Sequence, residues 1–172
     1  MYKNLAAVIT AACFFSPFSF SVTAAQPAAS SGNKPVKAAF VYVTPVFEAG
    51  WTHQHDEGRK AVEKSLGNAV KTTVVENVAE GADSERVVRD LAQQGHDIIF
   101  TTSFGYMEPT LKVAKEFPNV KFESITGYKT DVNVAVANAR YYEGRYLAGV
   151  AAGRLTKSNV AGYVAGFPIP EV

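Results

Sequence analysis

Cysteine occurs once in the 172 residues, at Cys13, and tryptophan once, at Trp51. Cys13 lies inside an apolar run from Leu5 to Val22 that follows the positive start Met1-Tyr2-Lys3-Asn4 and precedes Thr23-Ala24-Ala25. That layout reads as a secretory signal peptide, residues 1–25, cut after Ala24 or Ala25. Ser16, Pro17, Ser19 and Ser21 interrupt the run. Spanning a bilayer takes about 20 predominantly apolar residues, so a membrane anchor is the weaker reading. A lipoprotein signal calls for an aliphatic residue where Thr10 stands in Thr10-Ala11-Ala12-Cys13, which argues against a lipid anchor at Cys13. Once the signal is removed no thiol remains. Disulfides, cysteine nucleophiles and thiolate metal sites are then excluded.

An excess of charge of either sign is also lacking. Lys and Arg number 17 against 16 Asp and Glu, and loss of Lys3 with the signal brings the balance to zero. With no basic stripe, nucleic acid and anionic membrane surfaces are poor partners. No GxGxxG or GxxxxGK[ST] follows a strand, and Gly127 and Gly144 stand alone, so no phosphate loop is present. Ser103 lacks the flanking glycines of a nucleophile elbow. His53 and His55 are two apart, which puts them on different helix faces. Helical metal ligands sit three or four apart, and no third ligand is evident, so no metal is expected. No catalytic residue and no cofactor emerge, and the expectation is a protein that is not an enzyme.

What is present is regular alternation. Gln26 to Pro35 (QPAASSGNKP) reads as a flexible leader. Lys37 to Val43 is a buried strand, first in the mature chain. A helix over His53 to Leu66 carries Ala61, Val62 and Leu66 on its apolar side and closes at Gly67-Asn68. Val70 to Val75 is a second strand. Asp83 caps the next helix, with Glu85 in its first turn and Val87, Val88, Leu91 and Ala92 as its apolar face. Asp97 to Thr102 is a third strand. Pro109 suits the first turn of a third helix packed by Leu111, Val113, Ala114 and Phe117. Val120 to Ile125 is a fourth strand and Asn133 to Ala137 a fifth. Tyr142 to Leu155 is a small-residue-rich helix, and Val160 to Val164 a last strand. The order implies an α/β fold, a parallel sheet covered on both faces with right-handed crossovers. Gly166-Phe167-Pro168-Ile169-Pro170-Glu171-Val172 follows a strand with no closing helix and reads as an unfinished terminus, the mark of a fragment.

Ligands of open parallel sheets bind at the carboxyl ends of the strands. Phe47, Glu48 and Trp51 follow the first strand, and Ser103, Phe104, Gly105 and Tyr106 the third. Gly127 and Tyr128 follow the fourth, Arg140, Tyr141 and Tyr142 the fifth, and Phe167 the last. This sheet edge is aromatic where water would favour polar groups, and rings suit a planar ligand held by stacking. The alternative is that the rings pack under loops or face further protein. Glu48 and Glu108 are the acids nearest the edge, able to accept from ring N–H or amino groups, or else to sit as helix N-terminal charges. Arg140 either clamps a carbonyl or pairs with Glu143.

Glu48-Ala49-Gly50-Trp51-Thr52-His53-Gln54-His55-Asp56-Glu57-Gly58-Arg59 resembles the first signature segment of the basic membrane protein (BMP) family, solute-binding proteins of ABC importers that include purine nucleoside receptors. Glu116 to Phe122, Tyr142 to Gly149 and Gly166 to Val172 resemble three more, in order. The resemblance implies a Rossmann-like first lobe of a type I periplasmic binding protein over residues 36–172, truncated near the crossing to a second lobe. It implies a monomer outside the cytoplasm, in the periplasm, that hands a purine base or nucleoside to an ABC permease. Trp51 matches the family's stacking phenylalanine. An acidic residue of the family falls at Glu108. Gly50-Trp51-Thr52 replaces the Ser-Phe-Asn of nucleoside binders, which brings Thr52 into the candidate site and points to free bases such as adenine or guanine. The candidate ligand-binding set is thus Phe47, Glu48, Trp51, Thr52, Phe104, Gly105, Glu108, Tyr142 and Phe167. Kept beside it are an exported nucleoside hydrolase, a ligand sensor, and a sugar or riboflavin as the ligand.

Overall fold

The computed structural model describes residues 34–169. The signal peptide and all but the last two residues of the leader therefore lie outside the described residues. In chain order the elements are β1 (Val36–Val41), α1 (Trp51–Leu66), β2 (Val70–Val75), α2 (Ala82–Gln93), β3 (Ile98–Thr101), α3 (Met107–Glu116), β4 (Lys121–Ile125), β5 (Val134–Ala137) and α4 (Tyr141–Leu155). The five strands form one sheet in the order β2-β1-β3-β4-β5, and every pairing is parallel. This is the α/β, doubly covered sheet that the alternation implies.

The strands alternate because successive side chains point to opposite faces. From β1, Ala39 and Val41 join Ile99, Phe122 and Val134 on one face, under Val88, Leu91 and Ala92 of α2 and Val113 and Ala114 of α3. Ala38, Phe40 and Tyr42 face the other way and cluster with Val70, Val74 and Phe100. Phe40 and Phe100 stack there with centroids 4.7 Å apart. Asn133, at the entry to β5, is 6 % exposed. Its amide donates to the carbonyls of Ala114, Phe117 and Val120 at 3.1, 3.0 and 2.9 Å. Ala114 is in the last turn of α3, and Phe117 and Val120 follow it, so the amide ties the end of α3 and the turn into β4 to the start of β5.

The second face is covered by α1, and in an unexpected way. Ala61, Val62 and Leu66 are exposed. The side turned to the sheet instead carries Thr52, Asp56, Arg59 and Glu63, at spacings of four, three and four. Asp56 is 4 % exposed. It accepts from Tyr42 Oη at 3.4 Å and Arg59 Nε at 2.7 Å, while Lys60 Nζ lies 3.0 Å from its other oxygen. Burial pushes the Asp56 carboxyl up, but the hydrogen bonds and charges of Arg59 and Lys60 outweigh it and hold the group below the usual carboxylate range. A folded-state value below the unfolded one adds stability above the unfolded pKa of about 4, and that contribution disappears as pH falls through the folded value. In urea unfolding, Asp56→Asn is expected to be less stable than wild type at pH 7. The gap should narrow by pH 3. An equal gap at both pH values would overturn this role.

Two boundaries depart from expectation. The N-cap of α2 is Gly81 (φ 87°), with no side-chain cap, and Asp83 lies inside the first turn beside Glu85. Residues 160–164 form no strand. Val160 is 76 % and Val164 96 % exposed, and a short segment without a neighbour to complete its backbone hydrogen bonds stays irregular. No residue of α4 is buried. Among the described residues, no helix is long and apolar enough to cross a membrane.

Candidate functional site

All five strands deliver their carboxyl ends to one edge of the sheet, and a cavity of about 520 Å³ opens there. The segment after β1 contributes Val43 and Thr44, and α1 begins with Trp51. The segment after β3 contributes Ser103, Phe104 and Gly105, and the residue after β4 is Thr126. Tyr141 and Arg145 come from α4, and Phe167 and Ile169 from the chain beyond it. Glu80 comes from the loop after β2. The volume falls within the usual range for small-molecule sites.

Trp51 is the first residue of α1, next to Gly50, whose φ of 99° and ψ of −164° suit only glycine. Its indole Nε1 donates to the Thr102 carbonyl at 2.6 Å, which ties the ring to the end of β3. The His55 ring meets it edge-on at 4.7 Å and 69°. Tyr141 lies tilted beside it at 5.8 Å. Burial lowers the pKa of His55, which favours the neutral imidazole against the indole. Across the cavity Phe104 lies 6.1 Å from Tyr128.

Thr126 is a strained wall residue. It is 4 % exposed, its φ is +65°, and its hydroxyl has no hydrogen-bond partner. A β-branched residue in the left-handed region costs of order 1–3 kcal/mol, and such residues cluster at functional sites.

Glu80 reaches the site through a chain of tertiary contacts. After β2, Asn77 takes a left-handed φ of 56°. Val78 is then anchored by its N–H to Tyr42 O at 3.0 Å and by its carbonyl, which accepts from Tyr106 Oη at 2.6 Å. Burial raises the Tyr106 pKa, with the nearby Glu80 carboxylate adding to it, so the phenol keeps its proton. Two residues on, Glu80 Oε1 accepts from Ser103 Oγ at 2.5 Å and from the Gly105 N–H at 3.2 Å.

Of the residues proposed from the sequence, Trp51, Phe104, Gly105 and Phe167 line this cavity. The others are placed outside the lining. Phe47 is 62 % exposed, and its carbonyl accepts from His53 Nδ1 at 2.9 Å. Glu48 is exposed. Thr52 is buried, and its hydroxyl pairs with that of Thr44 at 2.7 Å, which holds the start of α1 to the lip of the cavity. Glu108 pairs with Lys129 at the surface. Tyr142 is 63 % exposed, while its neighbour Tyr141 faces inward. Arg140 pairs with Glu143 at 3.2 Å. Glu80, Arg145 and Thr126 were not singled out from the sequence. Among the described residues no cluster of three or more His, Cys, Asp or Glu could hold a metal.

A parallel sheet with helices on both faces and a cavity at the strands' carboxyl ends is an α/β fold of the class that takes ligands at that edge. An ABC transporter solute-binding protein from Conexibacter woesei shares that fold, with a TM-score of 0.58 and 23 % identity over 69 % of this chain and 40 % of that one. Residues 35–172 match the Bmp family, described as ABC transporter substrate-binding protein PnrA-like, and the chain belongs to that family. It is 53 % identical over 144 residues to a purine-binding protein of Brucella abortus, covering 84 % of this chain and 41 % of that protein. It is 45 % identical over 142 residues to a putative ABC transporter glucose-binding protein of Haloferax volcanii, covering 83 % of this chain and 36 % of that protein. The chain thus spans about two fifths of the length of the curated relatives it matches.

Proposed function

We propose that residues 36–172 supply one lobe of an extracytoplasmic solute-binding protein, and that this lobe captures a purine base for an ABC permease. The observation that carries the ligand reading is Trp51. Its polar atom is taken by the Thr102 carbonyl, so the indole offers a bound molecule its π-face, and stacking on a planar heterocycle is what that face does well. Tyr141, Phe104 and Phe167 add rings around it. The name of the Brucella relative agrees with a purine. The name of the Haloferax relative favours a sugar. A sugar, however, needs a dense set of donors and acceptors, and this lining is mostly apolar.

Capture proceeds by stacking in an open cleft, reading of the ligand's edge by the few polar groups, and closure of a second lobe. In this reading residues 1–25 are removed on export, residues 26–35 are a leader, and the protein acts as a monomer. The test is mass spectrometry of the full-length protein from the extracytoplasmic fraction. The expected result is a released purine and an intact mass lacking residues 1–25. A sugar or a flavin released in its place would overturn the ligand reading, and an intact or lipidated N-terminus would overturn the export reading.

A further inference from the structure

Among the described residues, two charged side chains line the cavity, Glu80 and Arg145, and they differ in how they are held. Arg145 projects from α4, a helix with no buried residue. Glu80 is built in. Its Oε1 accepts from both Ser103 Oγ and the Gly105 amide. Glycine at 105 lets the carboxylate lie close against the backbone, since an added Cβ would stand 2.2 Å from Glu80 Cδ and push the side chain aside. With Oε1 occupied twice, Oε2 is the remaining strong acceptor of this cavity-lining carboxylate.

We infer that Glu80 is the specificity-determining residue of this cavity and that it selects purines bearing an exocyclic amino group, whose N–H donates to Oε2. The inference rests on the purine reading above. An amino group opposite a carboxylate oxygen makes a charge-assisted hydrogen bond. A 6-oxo group in its place sets two acceptors against each other, an oxygen lone pair facing a carboxylate oxygen with no proton between them. Stacking on Trp51 does not discriminate between the two, since both purines have the same π-face.

The test is calorimetric titration of the full-length protein with adenine and with hypoxanthine, for wild type and Glu80→Gln. Glutamine keeps the size of the side chain, and its carbonyl oxygen still accepts from Ser103 and Gly105, so its amide N–H₂ takes the place of Oε2. Wild type is expected to bind adenine at least about 10-fold more tightly than hypoxanthine. Glu80→Gln is expected to shrink that ratio about 10-fold or reverse it, with an unchanged melting temperature. Purine binding with no preference for adenine in wild type would overturn the inference and leave the purine reading standing. So would a ratio unmoved by Glu80→Gln. Wild type that binds neither base would overturn the purine reading, and the inference with it.

Discussion

Trp51→Ala is expected to weaken purine binding by about 1–3 kcal/mol, roughly 5- to 150-fold in Kd, the usual worth of one base stacked on one aromatic ring. The size of the effect follows from how the ring is held. Gly50 lets α1 begin at the lip of the cavity, and Thr102 fixes the indole through Nε1. A ring held this way loses little freedom when a ligand arrives, so more of the contact appears as affinity. Truncation also leaves the Thr102 carbonyl without its donor, and Thr102 is 1 % exposed. A stability loss of about 1 kcal/mol should therefore accompany the affinity loss. Trp51→Phe separates the two effects. It restores a π-face but not the N–H, so it should recover most of the affinity and none of the lost stability. Titration gives the first quantity and urea unfolding the second. An unchanged Kd for Trp51→Ala would make the indole a packing residue and remove the main support for the purine reading.

The contrast between Trp51 and Glu80 shows what was legible in the sequence. The five strands were legible because each is a short apolar or β-branched run bounded by breakers, and their parallel order because helices alternate with them. From the order alone, the carboxyl ends become the ligand edge, and residues immediately past a strand end, such as Phe104 and Gly105, are assigned to it. Glu80 stands five residues past β2, outside any local pattern. It is carried to the site by the left-handed turn at Asn77 and the anchoring of Val78 between Tyr42 and Tyr106. Those contacts span up to 36 positions of sequence and leave no periodic trace. α1 was misread for another reason. Its sheet-facing side is polar because Tyr42 puts a hydroxyl there and Asp56 answers it with Arg59. A hydrophobicity pattern then points to the wrong side, and Ala61, Val62 and Leu66 are left exposed. The choice between Tyr141 and Tyr142 turns on one residue of helical register, about 100° of rotation, which adjacent tyrosines cannot encode.

Phe122→Ala is expected to be the most damaging single core substitution, costing about 3–5 kcal/mol. Phe122 is 1 % exposed and sits on β4, flanked in register by Ile99 of β3 and Val134 of β5. Its ring belongs to the face covered by α2 and α3. Strands on either side and helices above leave the surroundings little room to collapse into the space, and incomplete collapse is what pushes such costs to the upper end. Domains of this kind hold a total of about 5–15 kcal/mol, so the loss removes a large share of it. The consequence reaches the cavity, because Thr126 follows directly on β4, and its strained backbone is held only while the strand is in place: its N–H donates to Ala137 O of β5 at 2.8 Å. Phe122→Leu, which keeps most of the volume, should cost under about 1.5 kcal/mol. Urea unfolding decides between these outcomes: the midpoint should fall for Phe122→Ala with an unchanged m-value, and a loss equal to that of Phe122→Leu would mean that the site can close over the missing ring.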